Sequence, residues 1–318
     1  MDPNRLSRRR FLARAALGGA ALLLPVPGGA CARADGSGRG AAPDWVPPSE
    51  ADRERLDSWL RTLRSEGLAD RAAPLGPAVA RVGELALGSP YAANTLEAYL
   101  AGGGSAAEEP LTLHLMKFDC VSLVEAALAV ARTAAARPDA GWDRFAREVE
   151  RMRYRRGMRT DYASRLHYFS EWISDGARRG LLEELGPELG SVADTRPLRF
   201  MSGHRSSYPA LADGAMFNAI ATHERRLDAS PRPVVPRDRI AEIQDRLQTG
   251  DVLAFATSIE GLDVTHTGLA YRSADGVMRV LHAPLSGGVV QVSPGTVAEY
   301  VNGLRSSTGI LAARPLHG

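Results

Sequence analysis

From about residue 52 to 228 apolar residues recur at helical intervals, and after Gly250 they fall at alternate positions. Asp52–Gly67 and Leu75–Gly88 space Leu, Val and Ala three and four apart, with Arg and Glu on the other face, and predict two helices. Val121, Val124, Leu128 and Val130 predict a buried helix from Cys120 to Ala136. Trp142–Arg153, Tyr162–Gly176 and Tyr208–Asp228 continue the helical pattern, and Gly102-Gly103-Gly104-Ser105 marks a flexible turn before it. Pro231, Pro233 and Pro236 punctuate the switch to strands. Strands are predicted at Asp251–Ala256, Leu262–Tyr271, Val277–Ala283 and Val289–Val292, the middle pair forming a hairpin around Ala274-Asp275-Gly276. Helices first and an antiparallel sheet afterwards describe an α+β fold without internal repeats.

The N-terminus reads as an address. Ser7-Arg8-Arg9-Arg10-Phe11-Leu12 precedes the apolar run Ala15–Leu24, then Pro25, Pro27 and small residues, the layout of an export signal. Paired arginines before Phe-Leu resemble the twin-arginine signal. Cleavage after Ala34 follows the A-x-A form of Ala32-Arg33-Ala34; the rival reading makes Cys31 a lipidated N-terminus. The apolar run falls short of the ~20 residues a spanning helix needs, so membrane attachment would come only through Cys31. The expected organisation is a signal at 1–34, a Gly/Pro/Ala-rich tether at 35–50 and one domain at 51–318 with a helical insertion at about 140–230. Export by the twin-arginine route places the protein in the periplasm or cell envelope.

Composition changes this picture little. With 44% hydrophobic and 24% charged residues, the 318-residue chain is globular. Its net charge of +2 comes from the leader, where six arginines against one aspartate carry +5 and leave −3 for the rest. Nucleic-acid binding thereby loses its electrostatic support. Lys117 is the one lysine, a coding bias towards arginine. Two cysteines, Cys31 and Cys120, rule out a disulfide framework.

The chemistry starts from Cys120. Asp119 is a suitable N-cap, which puts Cys120 in the first helical turn, where helix dipole and unpaired N–H groups should lower the thiol pKa and serve a developing oxyanion. A cysteine nucleophile needs a base and the base an orienting group. Of seven histidines, His266 and His282 sit on predicted strands. His266 is expected to share its face with Val264, Gly268 and Ala270, small residues that leave room for a helix or substrate. Register decides the rest. A two-residue turn puts His282 opposite Leu269, on the wrong face; a three-residue turn at Ala274–Gly276 puts it opposite Gly268, on the face of His266, with Gly276 in the left-handed position. An odd-length turn is therefore expected. A Cys/His/His zinc site is the rival, weakened by the distance of Cys120 in sequence and the lack of a local ligand pair.

Asp119-Cys120-Val121, His266-Thr267-Gly268-Leu269 and Leu281-His282-Ala283 resemble the signature strips of the NlpC-type cell-wall cysteine peptidases. The nearer resemblance is to the AmiA-like branch of N-acetylmuramoyl-L-alanine amidases. It adds Gly88-Ser89-Pro90-Tyr91, the strip Tyr162–Phe169, Gly250-Asp251-Val252 and Gly261-Leu262-Asp263-Val264. The resemblance runs from about Leu75 to Pro315; Pro284 and Leu166 depart from residues common in such proteins. It implies a papain-like (NlpC-type) α+β fold with an antiparallel sheet, a catalytic helix and helical insertions. It also implies hydrolysis of the amide between N-acetylmuramic acid, in its 1,6-anhydro form, and L-alanine in peptidoglycan fragments. In that reading Cys120 attacks, His266 shuttles the proton, and His282 orients His266 as third member of the triad; no metal or cofactor is needed. A thiolate with protonated His266 would give a bell-shaped pH profile.

Asp119, Tyr162, Ser164, Arg165, His167 and Asp263 are the candidate substrate-binding residues. Tyr162, Leu166, Phe169 and Ile173 are read as the buried stripe of one helix. Arg165 either grips a substrate carboxylate or lies on a solvated face, and Asp263 either binds the peptide or caps a strand. Rival functions are a peptidoglycan endopeptidase cutting the γ-D-glutamyl link to a diamino acid, a non-catalytic murein-binding protein, and an acyltransferase on the same triad.

Overall fold

A computed structural model describes residues 47–318. The signal at 1–34, Cys31 and residues 35–46 of the tether lie outside the described residues.

Helix α1 (Glu50–Ser65) starts where the Ser49 hydroxyl accepts from the Asp52 N–H, and it buries Leu56, Trp59, Leu60 and Leu63. Helix α2 (Gly76–Leu85) begins with Pro77, whose fixed φ suits a first turn. Helix α3 (Cys120–Ala134) is buried without a break from Leu123 to Ala134, because the helices and the sheet enclose it. Helix α4 (Trp142–Arg153) matches its predicted bounds. The predicted helix 162–176 is two elements: a single 3-10 turn at Tyr162–Ser164, then α5 (Phe169–Arg178). Tyr162 and Phe169 are thus not on one helix, and the expected stripe is corrected. Asp263, distant in sequence, accepts from the Ser170 N–H and sets the start of α5. Helix α6 (Gly214–Leu227) is preceded by a 3-10 turn at Pro209–Ala212; the break falls at Asp213, whose backbone is extended and whose carboxylate caps α6 by accepting from the Met216 N–H.

The strands are β1 (Leu182–Glu184), β2 (Val192–Asp194), β3 (Arg232–Pro236), β4 (Val252–Thr257), β5 (Val264–Arg272), β6 (Met278–His282), β7 (Gln291–Val292) and β8 (Ser307–Pro315). Helix α7 (Val297–Gly303) lies between the last two. They form one eight-stranded sheet of order β2-β3-β8-β4-β5-β6-β7, with β1 also on β8 and every pairing antiparallel. The α+β expectation holds. Strands β1, β2, β3 and the central β8 were not expected from periodicity: Ile310–Ala313 is buried on both faces and shows no alternation.

One face of the sheet, with Ala254, Leu269, Leu281 and Leu311, packs against α1–α5. The other, with Leu253, Phe255, Val280 and Ile310, is covered by α7 and a short helix at Ile240–Ile243. Within the stretch expected as an insertion, α4 and α5 belong to the main core. A separate cluster joins Tyr162, Tyr168, Leu198, Met201, Leu211, Met216 and Ile220.

Candidate active site

The β5–β6 hairpin pairs Leu269 with Leu281 and Arg272 with Met278, leaving an odd turn around Ala274–Gly276, with Gly276 at φ +82°. This is the register that the three-residue turn requires, and it sets His282 across from Gly268. Both imidazoles lie on the α7 face, with Nε2 of His266 and Nδ1 of His282 2.8 Å apart. A Cβ added at Gly268 would lie 2.9 Å from the Leu281 carbonyl oxygen and 3.1 Å from the His282 Cβ, so glycine lets β6 come this close.

One expectation fails here. Phe255 pairs with His266 but Ala256 pairs with Val264, so Thr265 is the extra residue of a β-bulge. The bulge turns Val264 to the α1–α5 face, away from His266. It leaves His266 stacked on Phe255, ring centroids 5.8 Å apart.

At the start of α3 the Asp119 carboxylate accepts from the Ser122 N–H at 2.7 Å while the Ser122 hydroxyl accepts from the Asp119 N–H, a complete capping box. Cys120 is therefore the first helical residue, free and partly buried. The Thr267 hydroxyl donates to its carbonyl at 2.9 Å, docking the tip of α3 on the strand that carries His266. The strip Gly88–Tyr91 closes one side. The Gly88 N–H donates to Val290 and the Tyr91 N–H to Gly288, beyond His282, while the Phe118 N–H, ahead of Cys120, donates to Pro90.

Electrostatics depart from the expectation of an acidified thiol. Burial, and after it the Asp119 carboxylate, push the Cys120 thiol up to about 12, against opposing hydrogen bonds from Thr267 and its own N–H. Burial and the neighbouring His282 bring His266 down to about 3, and burial brings His282 down to about 4. Desolvation thus opposes a thiolate at Cys120 and an imidazolium at either histidine, although Cys120 and His266 each keep part of their surface exposed. Tyr91 and Tyr300 both rise to about 12, from burial and then the charge that Cys120 would carry. Tyr300, on α7, sets its hydroxyl 3.2 Å from His282 Nδ1.

The remaining candidates are engaged within the protein. Asp119 caps α3. The Tyr162 ring lies 4.9 Å under the Arg165 guanidinium, and the Tyr162 carbonyl lies 2.7 Å from His167 Nε2. The carboxylates at buried Arg165 are Glu97 at 2.5 Å and Glu109 at 3.5 Å. The Ser164 hydroxyl donates to the Asp161 carbonyl and accepts from the Thr160 N–H. Asp263, 2% exposed, accepts from the Ser170 and Val264 N–H groups, so of its two readings the capping one matches its bonds, at a helix start. Thr267, Tyr91 and Tyr300 were not among the predicted site residues. The first two stand inside strips that the resemblance already used; Tyr300 has no signal beyond a helix opened by the Thr296–Glu299 capping box. Among the described residues no three His, Cys, Asp or Glu side chains converge as a metal site would need.

A family model described as AmiA-like, N-acetylmuramoyl-L-alanine amidase-like, matches residues 81–310. The chain is similar to the crystal structure of an N-acetylmuramoyl-L-alanine amidase from Bacteroides uniformis, with 28% identity and a TM-score of 0.68 over 76% of this chain and 98% of that one. A proposed xylanase from Bacteroides fragilis is 32% identical, TM-score 0.66, over 73% of this chain and 99% of its own. A Legionella pneumophila protein, 16% identical with a TM-score of 0.59 over 85% of this chain and 97% of its own, shares the fold. Among curated proteins none matches.

Proposed function

The chain belongs to the AmiA-like, N-acetylmuramoyl-L-alanine amidase-like family, and from that premise we propose that it cleaves the amide between N-acetylmuramic acid and L-alanine in peptidoglycan fragments through Cys120. The observation that carries the reading is the 2.8 Å contact of His266 with His282, on a strand bonded through Thr267 to the backbone of Cys120. It is the order of a nucleophile, a base and an orienting group, here on an NlpC-type, papain-like plan.

With both partners neutral at rest, the thiol proton passes to His266 as the Cys120 sulfur attacks the amide carbonyl. The carbonyl electron pair moves to oxygen, and the Cys120 N–H, at the positive end of α3, is placed to receive it. Collapse breaks the C–N bond, His266 returns the proton to the leaving amine of L-alanine, and a thioester remains. Water, giving a proton to His266, then attacks the thioester; the C–S bond breaks, His266 passes that proton to the leaving sulfur, and the muramic acid leaves as a carboxylic acid that ionises in solvent. His282 holds the ring of His266 through its second nitrogen.

A glycosidase would need two carboxylates across the cleft. Here the reactive groups are a thiol and two imidazoles, and Asp119 is occupied in capping its helix. The anhydro form of the sugar, the product of lytic cleavage, is the preferred substrate in this reading. Export of the folded chain by the twin-arginine route would bring it to such fragments in the periplasm or cell envelope.

The test is mass spectrometry of products from anhydro and ordinary muropeptides, with wild type, Cys120→Ala and a chelator arm. Free anhydro-muramic acid and an intact stem peptide are expected, with no turnover by the variant and no effect of EDTA. A sugar still bearing L-Ala-Glu would mark a γ-glutamyl endopeptidase, and activity retained in Cys120→Ala would overturn the cysteine mechanism.

A further inference from the structure

Two groups converge on a single nitrogen. His282 Nδ1 lies 2.8 Å from His266 Nε2 and 3.2 Å from the Tyr300 hydroxyl. The Tyr300 ring stands nearly perpendicular to His282, centroids 4.9 Å apart, and packs on Phe255 at 5.0 Å. Its helix is held to the sheet by buried Val297, Ala298 and Val301. The other nitrogen of His282, Nε2, is buried with no hydrogen-bond partner among the described residues.

A neutral imidazole carries one N–H and one lone pair, so the two histidines share a tautomeric choice. With its proton on Nε2, His282 offers a bare Nδ1 to the His266 Nε2–H, and His266 keeps a free Nδ1 lone pair to take a proton. With its proton on Nδ1, His282 donates to His266 Nε2. His266 must then hold its own proton on Nδ1 and has nothing to offer a thiol. The buried Nε2 disfavours the first arrangement, since an N–H there finds no acceptor. The Tyr300 O–H acts in the opposite sense, because it can donate to Nδ1 only when that nitrogen is bare.

We propose that Tyr300 is a positioning residue that shifts His282 towards the Nε2–H tautomer and so keeps His266 able to accept a proton. Burial favours the neutral form of both imidazoles and the protonated form of the Tyr300 hydroxyl. The consequence for turnover rests on the hydrolase reading above; the tautomer does not.

Tyr300→Phe removes the hydroxyl and keeps the ring. In 15N-labelled protein the Nε2–H fraction of His282 should fall, and kcat should drop about five- to tenfold with KM unchanged, the worth of one neutral hydrogen bond. An unchanged tautomer ratio in Tyr300→Phe overturns the proposal. So does a wild-type His282 found wholly in the Nδ1–H form, which is read without any variant. A tautomer shift in a protein that cleaves no muropeptide would sink the hydrolase reading and leave this inference standing.

Discussion

The Thr267 hydroxyl donates to the carbonyl of Cys120 across 2.9 Å, joining residues 147 apart in the chain. Thr267 is 1% exposed and points to the α1–α5 face, while its neighbour His266 points to the α7 face. One bond therefore sets the height of the α3 tip relative to the strand that carries the base. Thr267→Val, close in shape, should cost about 1 kcal/mol of stability. It should also lower kcat several-fold, because small displacements of a nucleophile from its base are costly to turnover. Denaturant melts paired with steady-state kinetics check both; a variant with full kcat would show that the bond serves stability alone.

The thiol pKa of about 12 and the His266 pKa of about 3 define a wide range in which the resting site carries no ion pair. Alkylation follows the thiolate fraction. The rate of Cys120 with iodoacetamide in the free protein should then climb about tenfold per pH unit through neutrality, still rising at pH 9. A flat rate between about pH 5 and 8 would instead mark a thiolate–imidazolium pair, and would return the sequence-based expectation to favour.

Gly268 has no room for a methyl group, its Cβ position lying 2.9 Å from the Leu281 carbonyl oxygen. Gly268→Ala must push β6 away from β5 and part the two imidazoles. A loss of about 1–3 kcal/mol is expected from overpacking. The larger effect should be on kcat, at least tenfold, with the hairpin still formed by amide exchange. Normal kcat in this variant would mean that the His266–His282 spacing does not matter.

Burial, opposed mainly by Arg165, pushes the Glu109 carboxyl up to about 7; its Oε1 accepts from the Tyr154 hydroxyl at 3.0 Å. A carboxyl with a raised folded-state pKa binds more protons folded than unfolded, so its contribution to stability is full below the unfolded value. That contribution is lost as pH rises through about 7. The melting temperature should thus decline between about pH 4.5 and 8 on account of this group. Glu109→Gln keeps an acceptor for Tyr154 and should flatten that slope, raising Tm at pH 8 by roughly 2–4 °C. An equal slope in both proteins would remove Glu109 as its source.

Local chemistry was legible in the residues. Asp119 before an apolar helix is a cap because a short carboxylate reaches the N–H three residues on. Ala274-Asp275-Gly276 fixes an odd turn because Gly276 tolerates positive φ, and an odd turn puts His282 on the face of His266. Trp142–Arg153 shows one clean amphipathic period. Elements buried on all sides were harder to read: β8 lies between β3 and β4 with both faces covered, and period-two reasoning has nothing to detect there.

What the amino-acid order determined by itself was every relationship carried by neighbours along the chain: the helix cap at Asp119, the hairpin register, and the shared face of the two histidines. Tertiary structure decided what depends on segments far apart. Arg165 found its carboxylates in Glu97 and Glu109, Asp263 capped a helix ninety-odd positions upstream, and Tyr300 was brought beside His282 by the packing of α7 on their shared face of the sheet. The thiol belongs to that second group as well. A helix start acidifies a cysteine through dipoles that are local, but the water excluded around Cys120 is removed by the whole fold, and desolvation is the larger of the two effects.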